Sequence, residues 1–248
     1  MKRAWPLLAI GAIVYLLVMV ITFPASRLAP LLERQVAGLS LHAVTGSVFS
    51  GQAAQLIYQD LDFGPLNWQL RPAGLLLGRA GFHLEMTQPA NSGALNMAIS
   101  PWGTVYVRDL QLTLSPDWLV NRYSPLPVKT SGAMRLQIDA FKLAGGFPED
   151  LTGLLSWDDA VVLDPLEIIL GDVGMTLNSQ AGLLAADIVE GGRLEAEGGL
   201  QLSADGRYHV NLRILPDNEM SDETFATLES LGQIQPDSSL LFETSGQL

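Results

Sequence analysis

Between Arg3 and Arg27 the chain carries no Asp, Glu, Lys, Arg or His. As a helix, the stretch Ala4 to Ser26, AWPLLAIGAIVYLLVMVITFPAS, is long enough to cross the hydrocarbon core of a bilayer, which takes roughly 20 apolar residues. Such a run constrains the chain more than any other feature, because it ties whatever follows to a membrane. Lys2 and Arg3 precede it, and basic residues stay on the cytoplasmic side, so the expected orientation is N-in, C-out. Trp5 suits the headgroup level, and Pro6 falls at the helix start, where a missing N–H costs little. A cleaved signal peptide has an apolar region of only about 7–15 residues and a small-x-small cleavage site. Here the run is longer and its exit, Phe23-Pro24-Ala25-Ser26-Arg27, makes a poor cleavage site, so a retained anchor is expected. Leu75-Leu76-Leu77 and Ile168-Ile169-Leu170 are too short to cross a membrane and read as strand or core segments, which leaves a single pass.

The expected organisation is a cytoplasmic tip at 1–3, a transmembrane anchor at 4–26, a helical stalk at 27–38 and a periplasmic β-rich domain at 39–248. The stalk follows from Leu28, Leu31, Leu32 and Val36 at near-helical spacing, interrupted by Pro30 and stopped by Gly38. There are no cysteines, so disulfides, thiol chemistry and thiolate metal sites are excluded. Charge is lopsided. Residues 27–138 carry 8 Lys and Arg against 6 Asp and Glu, whereas residues 139–248 carry 4 against 20. The acidic half repels nucleic acid and anionic headgroups; it serves solubility or steers a basic partner.

Past the stalk the hydrophobic period becomes two. Leu66, Trp68 and Leu70 alternate with Asn67, Gln69 and Arg71; Phe82, Leu84 and Met86 with His83, Glu85 and Thr87. The same alternation recurs at Leu110–Leu114, Met134–Asp139 and Tyr208–Ile214. Each reads as a strand with one buried and one wet face. Asp205-Gly206 predicts a type I′ hairpin turn, because Asp-Gly tolerates positive φ. Short helices are expected from Ser115-Pro116-Asp117-Trp118, with its capping Ser and early acid, and from Ser221 through Leu231 to Gly232. Thr45-Gly46, Ser131-Gly132, Thr152-Gly153 and Gly198-Gly199 echo one another as strand openings, at unequal gaps. The predicted fold is all-β: an N-terminal transmembrane helix, then a long curled antiparallel sheet, meander-like or groove-like, with two short helices.

Catalytic chemistry finds no support. His42, His83 and His209 lack metal-ligand spacing, and His83 and His209 fall on wet strand faces. Asp158 and Asp159 are adjacent, so on a strand they face opposite ways and share no site; Glu149-Asp150 reads as a turn or wet edge. Gly46-Ser47-Val48-Phe49-Ser50-Gly51 lacks the Lys of a phosphate loop and precedes a strand, and its glycines read as bulge or turn positions. Trp68, Trp102, Trp118 and Trp157 read as packing aromatics. No catalytic residue, cofactor or metal site is expected, and no nucleic-acid partner.

The segments Val44-Thr45-Gly46-Ser47-Val48-Phe49-Ser50-Gly51-Gln52-Ala53, Leu66-Asn67-Trp68-Gln69-Leu70-Arg71-Pro72 and Leu75-Leu76-Leu77-Gly78 resemble the opening of the type II secretion system protein N family of Gram-negative bacteria. Ser131-Gly132 with Met134-Arg135-Leu136, then Thr152-Gly153-Leu154-Leu155-Ser156-Trp157-Asp158-Asp159-Ala160, resemble its later strands, and Leu228-Glu229-Ser230-Leu231-Gly232 with Gly246-Gln247-Leu248 its end. The resemblance spans nearly the whole chain and rests on the order of segments. It implies a non-enzymatic inner-membrane accessory of the machine that exports folded proteins from the periplasm, with secretin and inner-membrane platform subunits as partners. It carries over Gly46, Gly51, Trp68, Pro72, Gly78, Gly153 and Trp157 as structural positions. An alternative, from the continuous apolar sheet face, is a periplasmic lipid-handling β-groove protein of the AsmA-like type.

Overall fold

The computed structural model describes residues 15, 19, 22–88, 91–117, 128–144, 146–164, 167–215, 232–237 and 239–247. Most of the apolar run at 4–26 lies outside these residues; within it Tyr15 and Met19 are helical and exposed. The helix expected from Ser221 to Gly232 also lies outside them, apart from Gly232. Among the described residues no helix is long and apolar enough to cross a membrane. Two compact units divide the chain, Met1–Asn91 and Ser92–Leu248.

The first unit opens with a 3-10 turn at Ala25–Arg27 and helix α1 at Ala29–Gln35. Pro30 sits in the first turn of α1, where its missing N–H is no loss, so it starts the helix instead of interrupting it. Strands β1 (Leu39–His42), β2 (Thr45–Gly46), β3 (Ser50–Tyr58), β4 (Leu61–Arg71) and β5 (Ala80–Thr87) follow. They pair antiparallel in the order β1-β3-β4-β5, with β2 also on β3. Register places Ala53 opposite Leu66 and Leu66 opposite Met86, an apolar row in which Ala53 and Met86 are buried. The next row, Gln52, Asn67 and Glu85, faces the other way, as a period of two requires.

Leu75-Leu76-Leu77 is not a strand. It belongs to a 3-10 segment, Pro72–Leu77, that leaves Leu75 exposed. Pro72 supplies the fixed φ at its start, and Gly78 closes it in the left-handed conformation at φ 69°.

The second unit is a meander of β6 (Ser92–Ile99), β7 (Val105–Leu114), β8 (Lys129–Ala144), β9 (Phe147–Asp164), β10 (Ile168–Gln180), β11 (Leu183–Gly191), β12 (Glu197–Ser203) and β13 (Arg207–Ile214). β15 (Leu240–Gln247) pairs with β13, and β14 (Gln233–Ile234) with β15. All ladders are antiparallel and the sheet is not closed. One apolar row crosses seven strands: Leu110, Ile138, Gly153, Leu177, Ala186, Leu200 and Val210. The adjoining row is mostly polar, with Gln111, Gln137, Thr176, Asp187, Asn211 and Glu243. Val107, Leu110, Ile138 and Leu151 form the buried cluster, with Leu136, Leu177 and Leu184 half-buried against it.

Two expectations change here. The loop between β12 and β13 has three residues, 204–206, and of these only Gly206 takes positive φ (84°), so it is not a type I′ turn. Gly132 and Gly153 lie inside β8 and β9, so they do not open strands, whereas Gly198 is the second residue of β12. The helix expected from Ser115 starts at Pro116 and Asp117, and its continuation from Trp118 lies outside the described residues; the Asp117 carboxylate also accepts from Thr130 N–H at 2.7 Å and its hydroxyl at 2.6 Å.

Candidate functional site

The sequence positions singled out above gather into small structural assemblies. Gly46 (φ 87°) ends β2 and pairs with Gly51, which opens onto Trp68 of β4. The four-residue turn between the glycines is tied by Ser47, whose hydroxyl accepts from the N–H groups of Phe49 and Ser50, each at 3.2 Å. The Trp68 indole N–H donates to the Ser47 carbonyl at 3.1 Å. Neither glycine position has room for a side chain. A Cβ at Gly46 would lie 2.6 Å from Gly51 Cα, and one at Gly51 2.4 Å from Trp68 Cζ2. The same turn holds the end of the apolar run: Pro24 forms an antiparallel bridge with Ser47, and Val48 N–H donates to the Phe23 carbonyl at 3.1 Å.

Trp157 repeats the device in the second unit. Its indole N–H donates to the Ser131 carbonyl at 3.0 Å, beside Gly132, whose φ of 104° and lack of a Cβ let β8 pass the Asp158 carbonyl. Gly153 stands between Ile138 and Leu177 in the apolar row, and a Cβ there would meet the Gln137 carbonyl at 2.6 Å. Pro72 and Gly78 bound the 3-10 segment described above.

A shallow depression of about 520 Å³ in the first unit is lined by Gln52, Asn67, Gln69, His83, Glu85 and Trp68 among others. The acidic pairs are engaged within the second unit. Lys142 Nζ lies 3.2 Å from Glu149 and 2.9 Å from Asp150; hydrogen bonding to Asp150 and then to Glu149 raises its pKa above 10.5. Asp158 pairs with Arg135, and Asp159, at a bulge with φ 47°, donates its backbone N–H to the Asp172 carboxylate at 2.9 Å. His209 lies 3.8 Å from Glu243, while His42 is exposed beside the Ser40 hydroxyl. Among the described residues, no group of three or more His, Asp or Glu is placed to hold a metal ion.

Sequence reasoning missed the Arg213–Asp237–Ser239 cluster. Asp237 Oδ1 accepts from the Ser239 hydroxyl at 2.7 Å and its N–H at 3.2 Å, and Arg213 Nε donates to the Ser239 hydroxyl at 3.0 Å. These bonds, the Ser239 hydroxyl first, hold the Asp237 carboxyl below its usual value of 3.8. The signal was present as an Asp followed two residues later by Ser, the spacing of an Asx turn.

Open antiparallel sheets whose glycines serve close backbone approach, and whose Trp68 and Trp157 indoles donate to backbone carbonyls, define a β-sheet scaffold. The family model described as type II secretion system (T2SS), protein N, matches residues 37–240, and the chain belongs to that family. A relative from Aeromonas hydrophila, named type II secretion system protein N, is 26% identical over 239 residues, 94% of each chain. One of the same name from Vibrio cholerae serotype O1 is 26% identical over 222 residues, 85% of this chain and 86% of its own. No solved structure matches the chain.

Proposed function

We propose that the chain is a non-enzymatic accessory component of the type II secretion system, supporting export of folded proteins from the periplasm across the outer membrane. The observation that carries this is the family match over residues 37–240 together with relatives of that name aligned along nearly the full chain. In this reading residues 4–26 are the single inner-membrane pass, N-in and C-out, and residues 39–248 stand in the periplasm. The uncharged run of 23 residues supports the anchor. A tether raises local concentration, so weak docking to secretin and inner-membrane platform subunits suffices. Strand ladders with open ends supply edges for β-augmentation, and the bulges at Asp109, Asp150 and Asp159 favour a curled, groove-like sheet. Nothing in the comparisons favours the AsmA-like lipid-handling alternative.

The test is crosslinking in membranes from residues 27–248, with mass spectrometry of the captured species, beside a deletion strain. Capture of secretin or platform subunits and periplasmic retention of exported proteins are expected. Unchanged secretion together with capture of lipid alone would overturn the proposal.

A further inference from the structure

We propose that α1 is a membrane-surface helix, whose leucine stripe beds into the interface of an anionic phospholipid bilayer and seats the first unit against it. The proposal rests on the reading of residues 4–26 as an anchor.

The helix faces outward with its large side chains. Ala29 is buried, as is Ala25 of the preceding 3-10 turn, whereas Leu31 and Leu32 of the helix and Val36 just after it are 51%, 47% and 40% exposed. Seven residues are too few for a stable helix in water on propensity alone, so α1 is held by its contacts. One of these is the Glu33 carboxylate, which accepts from Leu41 N–H at 2.8 Å. The small face is therefore fixed inward and the leucine face is left outside. Three exposed aliphatic side chains within six residues mark an interaction surface.

Chain geometry says what lies opposite it. The apolar run ends at Ser26, and α1 begins at Ala29. At about 2 Å of rise per residue in a 3-10 turn, this connection spans only about 6 Å. That is no more than the roughly 5–8 Å of headgroup region on one side of a bilayer. The last residues of the run are themselves held to the first unit, since Pro24 bridges Ser47 and the Phe23 carbonyl accepts from Val48. An anchor ending there leaves α1 at headgroup depth, not on a stalk above it. Charge agrees. The one acid of the helix points inward, while Arg27 and Arg34 are exposed and have no ion-pair partner among the described residues. Exposed leucines between unpaired arginines fit an interfacial helix on anionic lipid.

The chain has no cysteine, so single-cysteine probes report one position each. The full-length L32C variant is labelled with the fluorophore NBD, reconstituted into POPC/POPG vesicles and compared with A204C, in the exposed β12–β13 loop. The expected result is blue-shifted emission at 32, strong quenching by lipid-attached nitroxides and a severalfold smaller iodide quenching constant than at 204. Emission at 32 as wet as at 204, with the protein still resistant to carbonate extraction, would overturn the seat and leave the anchor. Carbonate extraction with wet emission would remove both. A position shielded from iodide but untouched by lipid nitroxides would assign the stripe to a protein partner and also overturn the proposal.

Discussion

The indole of Trp68 lies so close over Gly51 that a Cβ there would sit 2.4 Å from Cζ2 and 2.9 Å from Cε2, while the indole N–H reaches past the glycine to the Ser47 carbonyl. The aromatic ring takes the space a side chain on β3 would need, and its one donor closes the turn that holds the end of the apolar run. Gly51→Ala is expected to displace the ring and cost about 1–3 kcal/mol, the usual range for overpacking. Trp68→Phe removes the donor and is expected to cost at least about 0.5–1.5 kcal/mol. Because both changes act on one contact, the double variant should lose less than the sum. Urea unfolding of the two singles and the double, followed at the first unit, checks this.

Gly132 and Gly146 both have positive φ, at 104° and 87°, but their surroundings differ. A Cβ at Gly132 would lie 2.4 Å from the Asp158 carbonyl oxygen and 2.7 Å from that of Asp159, both backbone atoms of a paired strand; at Gly146 nothing lies within 4 Å. Gly146→Ala should therefore cost only the left-handed strain, about 1–2 kcal/mol. Gly132→Ala adds a clash that no side-chain rotation relieves. Its thermal midpoint is expected to fall further than that of Gly146→Ala, and equal losses would contradict the clash.

The apolar row of the second unit is unevenly covered. Ile138 is 7% exposed within the buried cluster, whereas Leu200, four strands away in the same row, is 38% exposed. Ile138→Ala is expected to cost about 2–5 kcal/mol, as for a buried aliphatic. Leu200→Ala should cost less than half of that, because much of its side chain already meets solvent. Denaturant midpoints of the two variants give the comparison.

The strands were legible because a period of two needs no tertiary information. Trp68, Met134 and Val210 mark the apolar face of β4, β8 and β13 by spacing alone. The 3-10 segment at Pro72–Leu77 was not, because three consecutive leucines read equally as a short buried strand; Pro72 and Gly78 decide between them only once the turn is seen. Bulges at Asp109, Asp150 and Asp159 were also invisible, since one inserted residue leaves composition unchanged while reversing which face a side chain takes. At the glycine hairpin, sequence gave the turn but not the bridge from Pro24 to Ser47, which joins residues 23 positions apart. The Arg213–Asp237 ion pair spans a similar interval and leaves no periodic trace.

That last cluster makes stability depend on pH. In the folded chain the Asp237 carboxyl is held below its ordinary value of 3.8 by the Ser239 hydroxyl, the Ser239 N–H and the Arg213 guanidinium. A carboxyl whose pKa is lowered by folding contributes stability above its unfolded value, and that contribution is lost as pH falls through the folded one. Asp237→Asn should therefore lower the denaturation midpoint near neutral pH. The gap to the parent should shrink as pH falls from about 3.8 through the lowered folded value, where the parent's own carboxyl becomes protonated. Ser239→Ala removes the largest cause of the shift and also leaves the Arg213 Nε–H without the buried hydroxyl that accepts from it, so it should lower the midpoint at every pH and by more near neutrality than in acid. Midpoints measured across the acid range for parent and both variants test the sign: a gap for Asp237→Asn that widened on acidification would show that the carboxylate is not what the cluster stabilises.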